Sequence, residues 1–264
     1  MFNKFWFDAK NINCFKNGFR VIKDLNLKIS YSENVILIGP NGSGKSSLIE
    51  IINRNLYPVV ANESKLKIFD KELINLWELR NKISTVNNDI KNRINPNLQV
   101  FDLILSGLYG RYCYVQKKSE RDSYKVEKIM KKMNISNLSK KNFSYLSDGE
   151  KQISLIARAL IKKPEILILD EPIANLDYKS KFFVIDKVNE LSKLNTKILC
   201  VTHDISTITQ IYDRVIMLKD GKIIADGDQN KVMNSENFNK LFGIQVELTH
   251  NNGLWNINLS LIHI

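Results

Sequence analysis

The feature that most limits what this chain can be is the run Gly39-Pro40-Asn41-Gly42-Ser43-Gly44-Lys45-Ser46-Ser47, placed directly after the apolar stretch VILI and opening the stretch SSLIEIIN. It satisfies G-x-x-x-x-G-K-[ST] in the strand–loop–helix setting that this motif requires. Glycines let consecutive backbone N–H groups converge on a phosphate, and the amides and dipole at a helix N-terminus add to the attraction for an anion. Lys45 is expected to reach the β- and γ-phosphates of a nucleotide, and the Ser46 hydroxyl to coordinate Mg²⁺. A plain glycine-rich turn would not account for an apolar strand on one side and a helix on the other.

The rest of the chain alternates strand and helix patterns around one helical interruption. FWFDAKNI, RVIKDLNLKI and LKIFD read as strands, Leu76 to Lys82 as a helix and Ile83 to Val86 as a strand. From about Asn87 to Phe143 the character is helical. Within it Val126, Ile129, Met130 and Met133 recur at i, i+3, i+4 and i+7, predicting a helix over Glu120 to Met133 with lysines on its other face. A second helix is predicted from Asp148 to Lys162 on the stripe Ile153, Ile156, Ala157 and Leu160. Strand patterns return at EILILD and KILCV, separated by a helix from Tyr178 to about Lys193. RVIMLKDGKIIADG reads as a hairpin turning at Asp220-Gly221. The tail from Gln229 carries two short helices and two weak strands. These alternations predict an α/β fold with a mostly parallel sheet, an antiparallel N-terminal β part and a helical subdomain. A single domain over 1–264 is expected, with 1–86 and 164–264 as core and tail and 87–163 as the helical subdomain.

Composition excludes disorder, with 44% hydrophobic and 25% charged residues. Lys and Arg number 39 against 28 Asp and Glu, a formal net charge of +11. Nucleic acid, anionic lipid, an acidic partner and merely solvated lysine faces all suit that balance, so charge alone does not choose among them. Cys14, Cys113 and Cys200 are scattered without metal-ligand spacing, which suits a reducing compartment; Cys200, inside KILCV, reads as a buried apolar residue. MFNKFWFDAK lacks the apolar core of a signal peptide, and the longest apolar runs fall far short of the ~20 residues of a spanning helix. The chain is not expected to cross a membrane by itself.

Ile166-Leu167-Ile168-Leu169-Asp170-Glu171 has the pattern of a central strand that meets charge only where it emerges. Asp170 is then positioned to hold Mg²⁺ through water and Glu171 to polarise an attacking water. Either carboxylate alone would also suit an acidic N-cap, but a chain with a phosphate loop favours the catalytic reading.

Between these two motifs lies Leu146-Ser147-Asp148-Gly149-Glu150, followed by Lys151, Gln152 and a helix. In that position it resembles the signature of the ABC (ATP-binding cassette) superfamily, usually written LSGGQ. Asp148 replaces the first glycine and Glu150 the glutamine, whereas Ser147 and Gly149 are kept. The resemblance implies that Ser147, Gly149, Glu150 and the helix N-terminus bind the γ-phosphate of ATP held by a second subunit. An ordinary Ser N-cap with Glu150 as capping-box partner explains the residue types but not their place in the chain. Asp177, in Ala174-Asn175-Leu176-Asp177, looks like the loop that crosses the dimer interface, and His203 like the switch histidine that contacts the γ-phosphate. Phe15 lies where the family places an aromatic on adenine, with Phe19 a rival and the role of an ordinary core or surface aromatic open for both. Asn88 aligns with the family's metal-facing glutamine, on a shorter arm.

The resemblance covers about Phe7 to Ile257. It implies an ATP hydrolase of P-loop type that uses ATP and Mg²⁺, with Glu171, His203 and Lys45 as catalytic residues. Looser matches in NLQVFDLILSGLYG and LFGIQVELTHNNGLW are similar to ATPase subunits of bacterial importers for metal chelates, siderophores or oxyanions, molybdate among them. The expected partners are a second cassette, as a homodimer, and a separate integral-membrane permease. The expected place is cytoplasmic, on the inner face of the membrane, with no direct nucleic-acid contact. A non-transport ATPase acting on ribosomes or nucleic acid is the alternative, and the basic charge favours it. Such chains usually carry two cassettes or a long coiled coil between phosphate loop and signature, and no sustained heptad separates Lys45 from Ser147. A degenerate, non-hydrolysing cassette is disfavoured because Lys45, Asp170, Glu171 and His203 are all present. Tyr109, Arg111, Tyr112 and Tyr114, in the region after Asn88, are the candidate contact with the permease, with packing of the helical subdomain the alternative for each tyrosine.

Overall fold

The computed structural model describes residues 4–61, 63–110, 118–192, 195–251 and 253–259. In chain order the elements are β1 (Phe5–Lys16), β2 (Phe19–Ser30), β3 (Val35–Ile38), α1 (Lys45–Ile52), β4 (Lys65–Ile68), α2 (Leu76–Lys82) and β5 (Ile83–Val86). Then come α3 (Val100–Ser106), α4 (Glu120–Lys132), α5 (Asp148–Leu160), β6 (Ile166–Asp170), α6 (Tyr178–Leu191) and β7 (Lys197–Thr202). The chain closes with β8 (Arg214–Lys219), β9 (Lys222–Asp228), α7 (Gln229–Val232), α8 (Ser235–Phe242), β10 (Val246–Asn251) and β11 (Leu254–Leu259). Two compact units result, one of residues 1–80 and 197–264, the other of residues 81–196.

The first unit contains an antiparallel sheet in the order β2-β1-β4. β1 and β2 meet across Asn17 and Gly18, both at positive φ (52° and 81°), as a two-residue primed turn demands. Inward-facing Trp6, Phe7, Ile12, Ile22 and Leu25 are each almost fully buried. β4 stops at Ile68 because Phe69 and Asp70 adopt positive φ (49° and 64°) and turn the chain back, so the strand is shorter than LKIFD suggests. Beside this sheet β3 pairs parallel with β7 and with β8, and β9 returns antiparallel to β8 across Asp220 and Gly221. All four residues of β3 are buried, as a central parallel strand requires. Cys14 and Cys200 are buried in this unit; burial pushes the Cys14 thiol up to about 11, which suits a packing residue. Cys113 lies outside the described residues.

The second unit joins the parallel pair β5–β6 to the helices α3 to α6. α3 packs on α4 and α5, and α5 on α6. α4 buries Val126 and Met130 and caps its start with Ser119, whose hydroxyl accepts the Asp122 N–H. α5 ends at Leu160, two residues before the expected Lys162, because Lys163 turns to φ 55° ahead of Pro164. No described helix is long and apolar enough to span a bilayer. The α/β architecture is the expected one, with mostly parallel core pairings, an antiparallel N-terminal sheet and a helical part.

Candidate functional site

In the first unit the site begins where β3 runs out. A Cβ on Gly39 would lie 2.2 Å from the Leu218 carbonyl oxygen, so only glycine lets the chain leave the strand there. Gly44, at φ 105°, approaches the Val21 carbonyl so closely that a Cβ would stand 2.8 Å from it. Between them the loop curls around the buried Lys45, whose ammonium donates to the carbonyl oxygens of Gly39 (2.7 Å) and Pro40 (3.0 Å). Ser46, Asn41 and Gly42 are exposed, Ser47 is buried, and the buried Ser43 hydroxyl has no hydrogen-bond partner among the described residues. An ammonium drawn over a cage of amides, beside an orphaned hydroxyl, suits an anion that takes the place of the two carbonyl contacts.

His203 reaches the same sheet edge by register. Ile38 pairs with Thr202, and the Gly39 N–H donates to the Thr202 carbonyl at 3.3 Å. The imidazole therefore follows β7 directly beside the start of the loop, and it is exposed. Phe15 and Phe19 stand at the β1–β2 turn with 49% and 76% of their surface exposed, which removes a core role but equally suits an ordinary surface aromatic. The Lys16 ammonium, next to Phe15, pairs with Glu50 of α1 at 2.7 Å and ties the turn to the phosphate-loop helix.

The second unit repeats the logic on its own strand edge. Val86 pairs with Leu169, so the continuations Asn88 and Asp170-Glu171 emerge side by side. Asp170 and Glu171 are half-buried after four fully buried residues, and Glu171 takes a positive φ of 51° that aims its side chain out of the strand line. Asn88 is half-buried and opens a 3₁₀ turn, Asn88–Arg93.

Ser147 is the exposed N-cap of α5, and the capping box is formed in full. Its hydroxyl accepts the Glu150 N–H at 3.2 Å, while the Glu150 carboxylate accepts the Ser147 N–H at 2.9 Å. The hydroxyl proton stays available to a phosphate oxygen, because the cap uses only a lone pair. Gly149 packs against α6, where a Cβ would come 3.1 Å from the Ser180 Cβ. Asp177 caps α6, and the Ser180 N–H and hydroxyl, each 2.9 Å away, hold its carboxyl below the usual range. The two helix N-termini thus lie together.

Three lysines that the linear motifs did not single out surround the signature. Lys141 stands 3.4 Å from Glu150 and Lys151 3.3 Å from Asp148. Burial lowers the pKa of Lys91, opposed by the carboxylate of Asp148. Only Lys151, at i+3 from Asp148, carries a local signal; the other two arrive through folding. Tyr109 is exposed and donates its hydroxyl to Asp122 at 2.7 Å, whereas Arg111, Tyr112 and Tyr114 lie outside the described residues.

Known proteins bear on this geometry directly. Residues 22–174, more than half of the chain, match the family model described as ABC transporter. YmeB of Lactococcus lactis subsp. lactis, an uncharacterized ABC transporter ATP-binding protein, is 30% identical over 245 residues, which cover 91% of this chain and 93% of that protein. Among solved structures, cbiO1 of Clostridium perfringens, part of the ABC transporter complex cbiONQ, is similar with a TM-score of 0.76 at 26% identity over 90% of this chain and 94% of that one. The ATP-binding cassette MJ0796, in a dimeric post-hydrolysis state with ADP and Pi, is similar with a TM-score of 0.68 at 26% identity over 84% of this chain and 98% of that one. The chain belongs to the ABC transporter family, as an ATP-binding and ATP-hydrolysing cassette subunit.

Proposed function

We propose that two copies of this cassette close over two ATP molecules, each held by the phosphate loop of one copy and the α5 N-terminus of the other, and so drive a separate membrane permease. The observation that carries this reading is the exposed, fully capped N-terminus of α5, which retains a hydroxyl proton and helix dipole for an anion. ATP binding would draw Lys45 from the Gly39 and Pro40 carbonyls onto the β- and γ-phosphates. Phe15, exposed at its turn, would stack on the adenine. Ser46 and Asp170 would hold Mg²⁺, with Asn88 offering an amide oxygen. The described residues contain no cluster of three His, Cys, Asp or Glu. Mg²⁺ is commonly held through one or two carboxylates and substrate phosphates rather than by an all-protein cage. When bound, Mg²⁺ neutralises charge across the β- and γ-oxygens. Glu171 polarises the attacking water, His203 contacts the γ-phosphate, and Asp177 faces the partner copy.

Import is the direction proposed, of a metal chelate, siderophore or oxyanion, on the strength of the importer-like segments after Asn88 and in the tail. Attachment to the inner face of the membrane then comes through the permease, as cbiO1 sits in a transporter complex. The permease contact is assigned to residues 108–115. Tyr109 is bound to the first turn of α4, so its truncation is expected to lower thermal stability as well as coupling.

The chemistry is tested with Glu171→Gln, which keeps shape and hydrogen bonding but removes the base. Turnover is expected to fall roughly 10²–10⁴-fold while ATP binding persists, and ATP-bound dimer should accumulate. Near-normal hydrolysis by this variant would remove Glu171 from the mechanism.

A further inference from the structure

α4 carries a line of cations that its own folding does not explain. Arg121, Lys125, Lys128 and Lys132 stand at i, i+4, i+7 and i+11 on one face, a stripe ~16 Å long at helical rise. Like charges at such spacings destabilise an isolated helix. Lys128 and Lys132 favour the C-terminal dipole, but Arg121 sits in the first turn, where a cation opposes it. Lys163, from the loop after α5, adds a fifth cation to the same groove. Counter-charge is scarce. Asp122 engages Lys125 at 2.8 Å and Glu165 engages Lys82 at 3.3 Å, whereas Arg121, Lys128, Lys132 and Lys163 make no ion pair among the described residues.

The stripe borders a groove of about 710 Å³, within the range of ligand sites. Its floor is apolar, formed by Ile129, Leu160, Ile161 and Pro164, and the exposed Tyr124 ring stands at its side. The Thr196 hydroxyl fixes that floor by donating to the Pro164 carbonyl at 2.8 Å. None of these residues belongs to the nucleotide machinery described above.

We propose that this groove docks an acidic amphipathic helix of a partner protein. Carboxylates at i, i+4, i+7 and i+11 would repeat the spacing of the cations, and an apolar side chain would fill the floor. A nucleic-acid backbone matches the charge but offers nothing to Ile129 and Leu160. A bilayer surface is flat and does not enter a concave site. An acidic helix satisfies both the charge and the shape.

The probe is a labelled synthetic helix with Glu at those four spacings and Leu between them, followed by fluorescence anisotropy against the full-length protein. Micromolar binding is expected, weakened at least 10-fold by K128E/K132E and less than 3-fold by K10E/K231E, which makes the same change in net charge elsewhere. Exchanging the peptide's Leu for Ser should also weaken binding severalfold. Basal ATP hydrolysis by K128E/K132E should match wild type, showing that the variant is folded. Absence of peptide binding to wild type overturns the proposal, as does equal loss in the two double variants. So does tighter, Lys128-dependent binding of oligothymidylate or of phosphatidylserine vesicles.

Discussion

Gly44 shows how much of this site is dictated at a single residue. Its φ of 105° and the 2.8 Å from a would-be Cβ to the Val21 carbonyl leave no room for a side chain. Gly44→Ala is expected to shift the loop and weaken ATP binding at least 10-fold, at a stability cost of about 1–3 kcal/mol. Nucleotide titration and a melting curve check both parts. Glu150 poses the opposite problem, a carboxylate beside the place proposed for a phosphate. Glu150→Gln keeps the capping box, since an amide oxygen still accepts the Ser147 N–H, but deletes the charge and its Lys141 pair. Apparent ATP affinity in dimer formation should rise about 2–5-fold, from a charge effect of about 0.3–1 kcal/mol near a helix N-terminus. An unchanged or weaker affinity would mean that Lys141 and Lys151 already cancel the carboxylates.

At the scale of elements, α4 depends on one carboxylate. Lys125, Tyr109 and Ser119 hold the Asp122 carboxyl down to about 2 through hydrogen bonds to its charged form. Its folded pKa lies below the ordinary 3.8, so its contribution to stability is complete above about pH 4. It is lost as the pH falls through 3.8 towards 2. Asp122→Asn should lower the melting temperature at pH 7 and flatten its decline between pH 4 and 2, as thermal scans across that window would show. Elements with local signals were legible in the sequence. The apolar runs of β3 and β6, the helical stripe of α4 and the Ser147–Glu150 box of α5 each lie within one turn or strand. Pairings between distant segments were not. β4 joins β1 rather than a sequence neighbour, and β1 bulges near Asn11, at φ 51°, where no glycine marks the place. The lysines around the signature and the cationic groove were hidden for the same reason, since Lys141–Glu150 and Lys163–Lys128 proximity exists only after folding.

For the whole molecule, the net charge of +11 gains meaning only once it is located. Many of the basic residues sit in exposed ion pairs such as Lys71–Glu78 and Lys240–Glu236, which are worth little individually and leave the net charge unchanged. On α4, Arg121, Lys128 and Lys132 make no ion pair among the described residues, and these are the charges expected to respond to salt and to an acidic partner. The proposed ATP-driven closure depends on two copies sharing each ATP. The most direct measurement mixes Lys45→Ala chains with Ser147→Arg chains and counts trapped ATP per dimer. If the site is composite, the mixed dimer holds both lesions in one site and an intact second site, so it traps one ATP while neither mutant homodimer traps any. A mixture that traps none, under conditions where wild type traps ATP, would contradict sharing between copies.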